Sequence, residues 1–102
     1  MKVEFAQLAG RDNGTAYNLE RALAAIAACA ADTQLVVFPE THLMGFPTAG
    51  TVADVAEPVD GPTVQAIIQA ARARNIAVVI GMAENDAGEF YNTTLMITPE
   101  GI

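Results

Sequence analysis

Apolar residues recur along this chain with different rhythms, and each rhythm predicts an element. Gln34 to Phe38 and Ile76 to Met82 are apolar at nearly every position and rich in β-branched residues, the pattern of strands covered on both faces. Between Lys2 and Leu8, Val3 and Phe5 alternate with Lys2 and Glu4, which predicts an opening strand with one less protected face. Leu19, Leu23, Ile26 and Ala30 follow at helical intervals and predict a helix from Ala16 to about Ala31 whose stripe packs on the sheet. Thr15 is its expected N-cap, after a loop punctuated by Gly10, Asp12, Asn13 and Gly14. A second helix begins at Asp60 or Thr63, turns Val64, Ile67, Ile68 and Ala71 to the core, and ends at Asn75, with Arg72 and Arg74 suiting its C-terminal dipole. The last strand, Phe90 to Thr98, is expected to form an antiparallel hairpin with Ile76 to Met82 around Glu84 to Glu89, where Asn85, Asp86 and Gly88 favour a turn.

The element order is therefore β-α-β-α-β-β, an α/β fold with a mixed sheet. Two crossover helices in short right-handed βαβ units lie on the same face of that sheet and leave the other bare. An apolar face of that size is an interface or an aggregation hazard, so either a carboxy-terminal continuation or a second copy is expected to cover it. At 102 residues and 52% hydrophobic, the chain has material for one core and one domain, residues 1–102.

Chemistry is concentrated in Leu35 to Phe46, LVVFPETHLMGF. Pro39 cannot donate to a strand ladder, so Glu40 falls just beyond the carboxyl end of a buried strand, where α/β sheets form their ligand crevices. Walls of Phe38, Leu43, Met44 and Phe46 would strip water from that carboxylate and suit it to proton-accepting work. The alternative is a glutamate that caps a loop or pairs with a base and faces water. Residues Thr41 to Pro62 then form a long connection, with Gly45, Pro47, Gly50, Pro58, Gly61 and Pro62, of a length that is usually functional or disordered.

The wording V-F-P-E-x-x-x-x-G-F, carried by Val37, Phe38, Pro39, Glu40, Gly45 and Phe46, resembles the glutamate motif of the nitrilase superfamily, the carbon-nitrogen hydrolases. Val3 to Leu8 resembles that family's opening strand ending in Ala-Gln, and Asp12 and Asn18 fall where its first helix begins. Gly61 to Ala73 resembles its second helix, and Ile76 to Gly81 its I-x-V-V-x-G strand. Tyr91, Asn92 and Thr93 match its Y-N-[ST] signature, and Pro99, Glu100 and Gly101 the turn that follows. The resemblance implies an α-β-β-α sandwich of which this chain is the amino-terminal part, and no cofactor. It implies a Glu-Lys-Cys hydrolase of carbon-nitrogen bonds other than peptide bonds, acting on a small-molecule amide or nitrile.

In that scheme Glu40 is the base that activates a cysteine thiol, a lysine stabilises the tetrahedral adduct, and water hydrolyses the thioester. The family's lysine follows the turn that Gly101 resembles, so the lysine and cysteine are expected beyond Ile102, and the 102 residues alone are expected to be inactive. Phe46 and His42, with the loop Thr41 to Thr51, are expected to line the substrate pocket. The continuation H-L-M-G-F is nearer the amidase and N-carbamoyl-amide branches than the true nitrilases, which points to an aliphatic or carbamoyl amide. Relatives associate through helical surfaces, so a homo-oligomer is implied.

Other features narrow the alternatives. Five basic against twelve acidic residues give a net charge of −7 without a basic patch, which argues against nucleic acid as a partner. No apolar run approaches the roughly 18 residues of a membrane span, and Met1-Lys2 leads into an alternating strand rather than a signal peptide, so a cytoplasmic protein without a membrane partner is expected. Cys29, in the alanine-rich helix, reads as an inert buried thiol, and a single cysteine suits a reducing compartment. His42 lacks the companions that a metal site needs, and Gly10 and Gly14 have neither phosphate-loop spacing nor a Walker lysine. Met44, Met82 and Met96 read as core filler. Asn92 either supports the site or satisfies a hairpin edge. The competing reading of the whole is a non-catalytic α/β module that assembles through its bare sheet face.

Overall fold

The computed structural model describes residues 1–102 as a four-stranded sheet with its two long helices on one face. The elements are β1 (Val3–Phe5), α1 (Thr15–Ala28), β2 (Leu35–Val37), a short α2 (Val52–Val55), α3 (Pro62–Arg74), β3 (Ala77–Asp86) and β4 (Glu89–Ile97). Spatial order equals chain order: β1, β2 and β3 are parallel, and β4 returns antiparallel on β3. The expected mixed sheet is present, with α2 as an addition inside the long connection.

The registers explain which residues are buried. Val36 pairs with Val78, which pairs with Ile97, and Ile80 pairs with Leu95. All five point to the same side as Met82 and are buried in one core with Ala22 and Ile26 of α1 and Val64, Ile67, Ile68 and Ala71 of α3. The second helix thus shows the stripe its periodicity predicts. Burial of each such aliphatic side chain is worth about 1.5–3 kcal/mol. The opposite face carries the row Phe5, Val37, Val79 and Met96, one residue from each strand. Phe5 is 73% exposed and Met96 53% exposed, so Met96 is not core filler and this face is bare, as expected from topology.

Several local expectations are corrected. Helix α1 starts at Thr15 with Gly14 as N-cap and no side-chain cap, and it ends at Ala28, leaving Ala30 outside and exposed. Its inner face is Asn18, Ala22 and Ile26, while Leu19 and Leu23 are only half-buried. Helix α3 starts at Pro62, whose missing N–H is no loss in a first turn, and Asn75 closes it in the left-handed region at φ 52°. The hairpin is tighter than predicted: β3 runs on to Asp86 and only Ala87 and Gly88 turn, both at positive φ.

Both arginines lie in the last turn of α3, as expected, and their guanidinium groups bond beyond that helix. Arg72 Nε donates to the carbonyl of Pro99 at 2.9 Å. Arg74 reaches across to α1, donating to the carbonyls of Ile26 at 3.1 Å, Ala27, and Cys29 at 2.6 Å. A guanidinium against the orphan carbonyls of a helix end joins charge-assisted hydrogen bonds with the favourable dipole. On the same side Glu4 accepts from the N–H of Ala30 and the hydroxyl of Thr33, which holds its carboxyl below the usual range.

Candidate active site

Strand β2 stops at Val37, and Phe38 still donates its N–H to the carbonyl of Val79 at 2.8 Å. Pro39 ends the ladder as predicted, and Glu40 follows at the carboxyl edge of the parallel strands. The chain then makes a tight turn: His42 N–H reaches the Pro39 carbonyl at 3.3 Å and Met44 N–H the Thr41 carbonyl at 3.1 Å. Thr41 sits at φ 47°, a left-handed conformation rarely adopted by a β-branched residue. The turn lies directly on β3, where Leu43 N–H donates to the Gly81 carbonyl at 3.1 Å. A Cβ on Gly81 would stand 2.3 Å from Thr41 N and 3.0 Å from the Glu40 carbonyl carbon, so only glycine leaves room for the backbone that carries Glu40.

The far end of the turn is held by the loop before α1. Gly45, at φ 69°, lies on Asp12, and a Cβ there would meet Asp12 Cα at 2.7 Å. Asn13 N–H donates to the Met44 carbonyl at 2.8 Å, and Phe46 N–H donates to Asp12 Oδ1 at 3.1 Å. The Arg11 guanidinium lies over the Tyr17 ring, 3.6 Å from its centroid, which ties this loop to α1.

Glu40 lines a cavity of about 280 Å³ with Thr41, Phe46, Pro47, Val52, Ala83, Phe90, Tyr91 and Asn92. The predicted apolar walls are built differently. Phe38, Leu43 and Met44 turn into the core, Glu40 is exposed, and only Phe46 of the four flanks it in this cavity. The other walls come from Val52 of α2 and from Phe90 and Tyr91 of β4. Val52 and Phe90 had no signal beyond their lying in a long loop and beside the Y-N-T motif.

His42 is placed elsewhere. It is 4% exposed, its ring tilts against Phe38 with centroids 5.3 Å apart, and it lines a smaller cleft on the other side of Glu40 with Gly10, Asp12 and Gly45. Burial, helped by the Arg21 charge, lowers its pKa, so the ring is neutral at pH 7. Its Nε2 and the neighbouring Thr41 Oγ1 are buried without hydrogen-bond partners. No group of three or more acidic, histidine or cysteine side chains converges to hold a metal ion. Asn92 faces the cavity, on the same side of the sheet as Ala83. Cys29 is buried at the end of α1, where burial raises its thiol pKa, as befits an inert thiol.

A carboxylate at the end of parallel strands, on a turn clamped from two sides and lining a partly apolar cavity, lies where α/β sheets form their ligand crevices. The carbon-nitrogen hydrolase family model matches residues 2–102, and the chain belongs to that family. It is 58% identical over 102 residues to an (R)-stereoselective amidase from a Pseudomonas species, covering 100% of this chain and 37% of the amidase. It is 37% identical over 82 residues to an aliphatic nitrilase of Rhodococcus rhodochrous, covering 67% of this chain and 22% of the nitrilase. A CN-hydrolase superfamily protein from Xanthomonas campestris, solved with an arsenic adduct in its active site, superimposes with a TM-score of 0.86 at 28% identity. The match covers 98% of this chain and 37% of that one. The chain thus spans between about a fifth and little more than a third of the length of these relatives, and no helix in it is long and apolar enough to cross a membrane.

Proposed function

We propose that Glu40 is the general base of a hydrolase that cleaves carbon-nitrogen bonds other than peptide bonds in aliphatic or N-carbamoyl amides. The observation that carries this reading is the placement of Glu40: a carboxylate beyond a parallel strand, beside Phe46 and Asn92 in a cavity sized for a small molecule. Identity to an (R)-stereoselective amidase favours an amide over a nitrile.

In the full-length protein Glu40 would take the proton of a cysteine thiol from outside these residues, since a thiol is a weak nucleophile until deprotonated. A lysine, also from outside, would stabilise the oxyanion formed when the thiolate attacks the amide carbon. Protonated Glu40 would pass its proton to the departing ammonia or amine, leaving a thioester, and the regenerated carboxylate would activate the water that hydrolyses it. On this reading the 102 residues alone have no turnover, and the full-length protein is a cytoplasmic homo-oligomer. Glu40→Gln in the full-length protein keeps the shape of the side chain and removes its basicity. The expected result is a loss of kcat of at least about a thousandfold with the fold retained, measured on a panel of aliphatic and N-carbamoyl amides. Undiminished turnover would remove Glu40 from the mechanism.

A further inference from the structure

We propose that Asn18 is a positioning residue that sets the placement of the Glu40 carboxylate by clasping the turn after it to helix α1. This rests on the reading of Glu40 as the base. Asn18 is completely buried in the first turn of α1, at the N-terminal end of its inner face, a place where a carboxamide is tolerated only if its hydrogen bonds are met. Its Oδ1 accepts the Arg11 N–H at 2.8 Å. Its Nδ2 donates to the Arg11 carbonyl at 2.8 Å and to the Leu43 carbonyl at 3.1 Å. Both amide protons are therefore used, and one side chain joins α1, the loop before it and the turn that carries Glu40.

Leu43 is held from two directions, its carbonyl by Asn18 and its N–H by the Gly81 carbonyl. The intervening Thr41 is in the left-handed region, a conformation that persists only where the surroundings over-determine it. An apolar residue at position 18 would fill the same space yet leave the Leu43 carbonyl without its side-chain donor and the Arg11 N–H without its acceptor, while the Arg11 carbonyl keeps only the Gly14 N–H. The turn would then be free to relax at Thr41, and Glu40, one residue earlier, would move with it. Misplacement of a reacting group by about 1 Å can cost on the order of a hundredfold in rate.

The test uses the full-length protein. Asn18→Asp keeps the side-chain shape and the acceptor for Arg11 and withdraws both donors when ionised, and at least one of the two when protonated. The expected result is a fall in kcat of roughly 30- to 100-fold with KM within about threefold and an unchanged circular dichroism spectrum. Combined with Glu40→Asp, which draws the same carboxylate back, the losses should fall well short of the product of the single losses, since both act on one placement. Losses that multiply, or a kcat unaffected by Asn18→Asp, would overturn the clasp. If Asn18→Asp does not fold, Asn18→Leu, which fills the space with no donor and no charge, is read by the same criteria. A Glu40→Gln control separates the two claims: full activity there overturns the base, whereas an inactive control beside an unaffected Asn18→Asp overturns only the clasp.

Discussion

The two faces of the sheet are made of the same kinds of residue and have opposite fates. On one face Val36, Val78, Ile80, Leu95 and Ile97 vanish under α1 and α3, and Arg74 locks the end of one helix to the other. On the other face Phe5, Val37, Val79 and Met96 form an unbroken row with large exposed side chains at both edges. The contrast teaches that hydropathy specifies that a strand wants cover on both faces, while chain topology decides which cover the same segment supplies. Here two right-handed crossovers spend both long helices on one side.

The contrast can be broken from the closed side first. Ile80→Ala, at a fully buried position beneath the helices, should destabilise the 102-residue chain by about 2–5 kcal/mol in urea unfolding. A loss below about 1 kcal/mol would mean that this face is not a packed core. Arg74→Met keeps the apolar stem and removes the donors to α1, and a loss of about 2 kcal/mol is expected by the same measurement. Full stability in this variant would show that the helices hold each other by apolar contact alone. Met96→Thr, on the open face, should change stability by less than about 0.5 kcal/mol in the 102-residue chain, because little burial is lost. A larger, concentration-dependent loss would show that copies of the chain cover this face themselves.

Much of this division was legible in the sequence. The strands Gln34 to Phe38 and Ile76 to Met82 declared themselves by continuous β-branched runs, and α3 by a clean stripe that is buried at all four positions. Helix α1 was legible as a helix but not in orientation. Leu19 and Leu23, which are only half-buried, draw its apolar stripe away from the inner face, and its most buried polar residue, Asn18, scores as polar because hydropathy counts the cost of burial and not the partners that offset it. His42 read as a pocket residue from its place two residues after Glu40; its ring packs against Phe38 and lines the smaller cleft beside Glu40, not the cavity with Asn92. Glu40 was found by its place after Pro39, but its neighbours in the cavity come from α2 and β4, and long-range contacts such as those of Val52 and Phe90 leave no local pattern.

The segment that walls the cavity leaves and rejoins the same strand. It departs beside Val79 and Gly81 and returns where Glu57 N–H meets the Ala83 carbonyl at 3.1 Å and Asn85 N–H meets the Glu57 carbonyl at 2.9 Å. Between these staples lie Phe46, Pro47 and Val52, and an exposed tip at Thr48, Ala49 and Gly50. Closing a loop between fixed ends costs only about 0.6 kcal/mol more for each doubling of its length. The wall is therefore an interchangeable part: residues can be added or exchanged at the tip, reshaping what the cavity admits, while the anchors and Glu40 keep their coordinates.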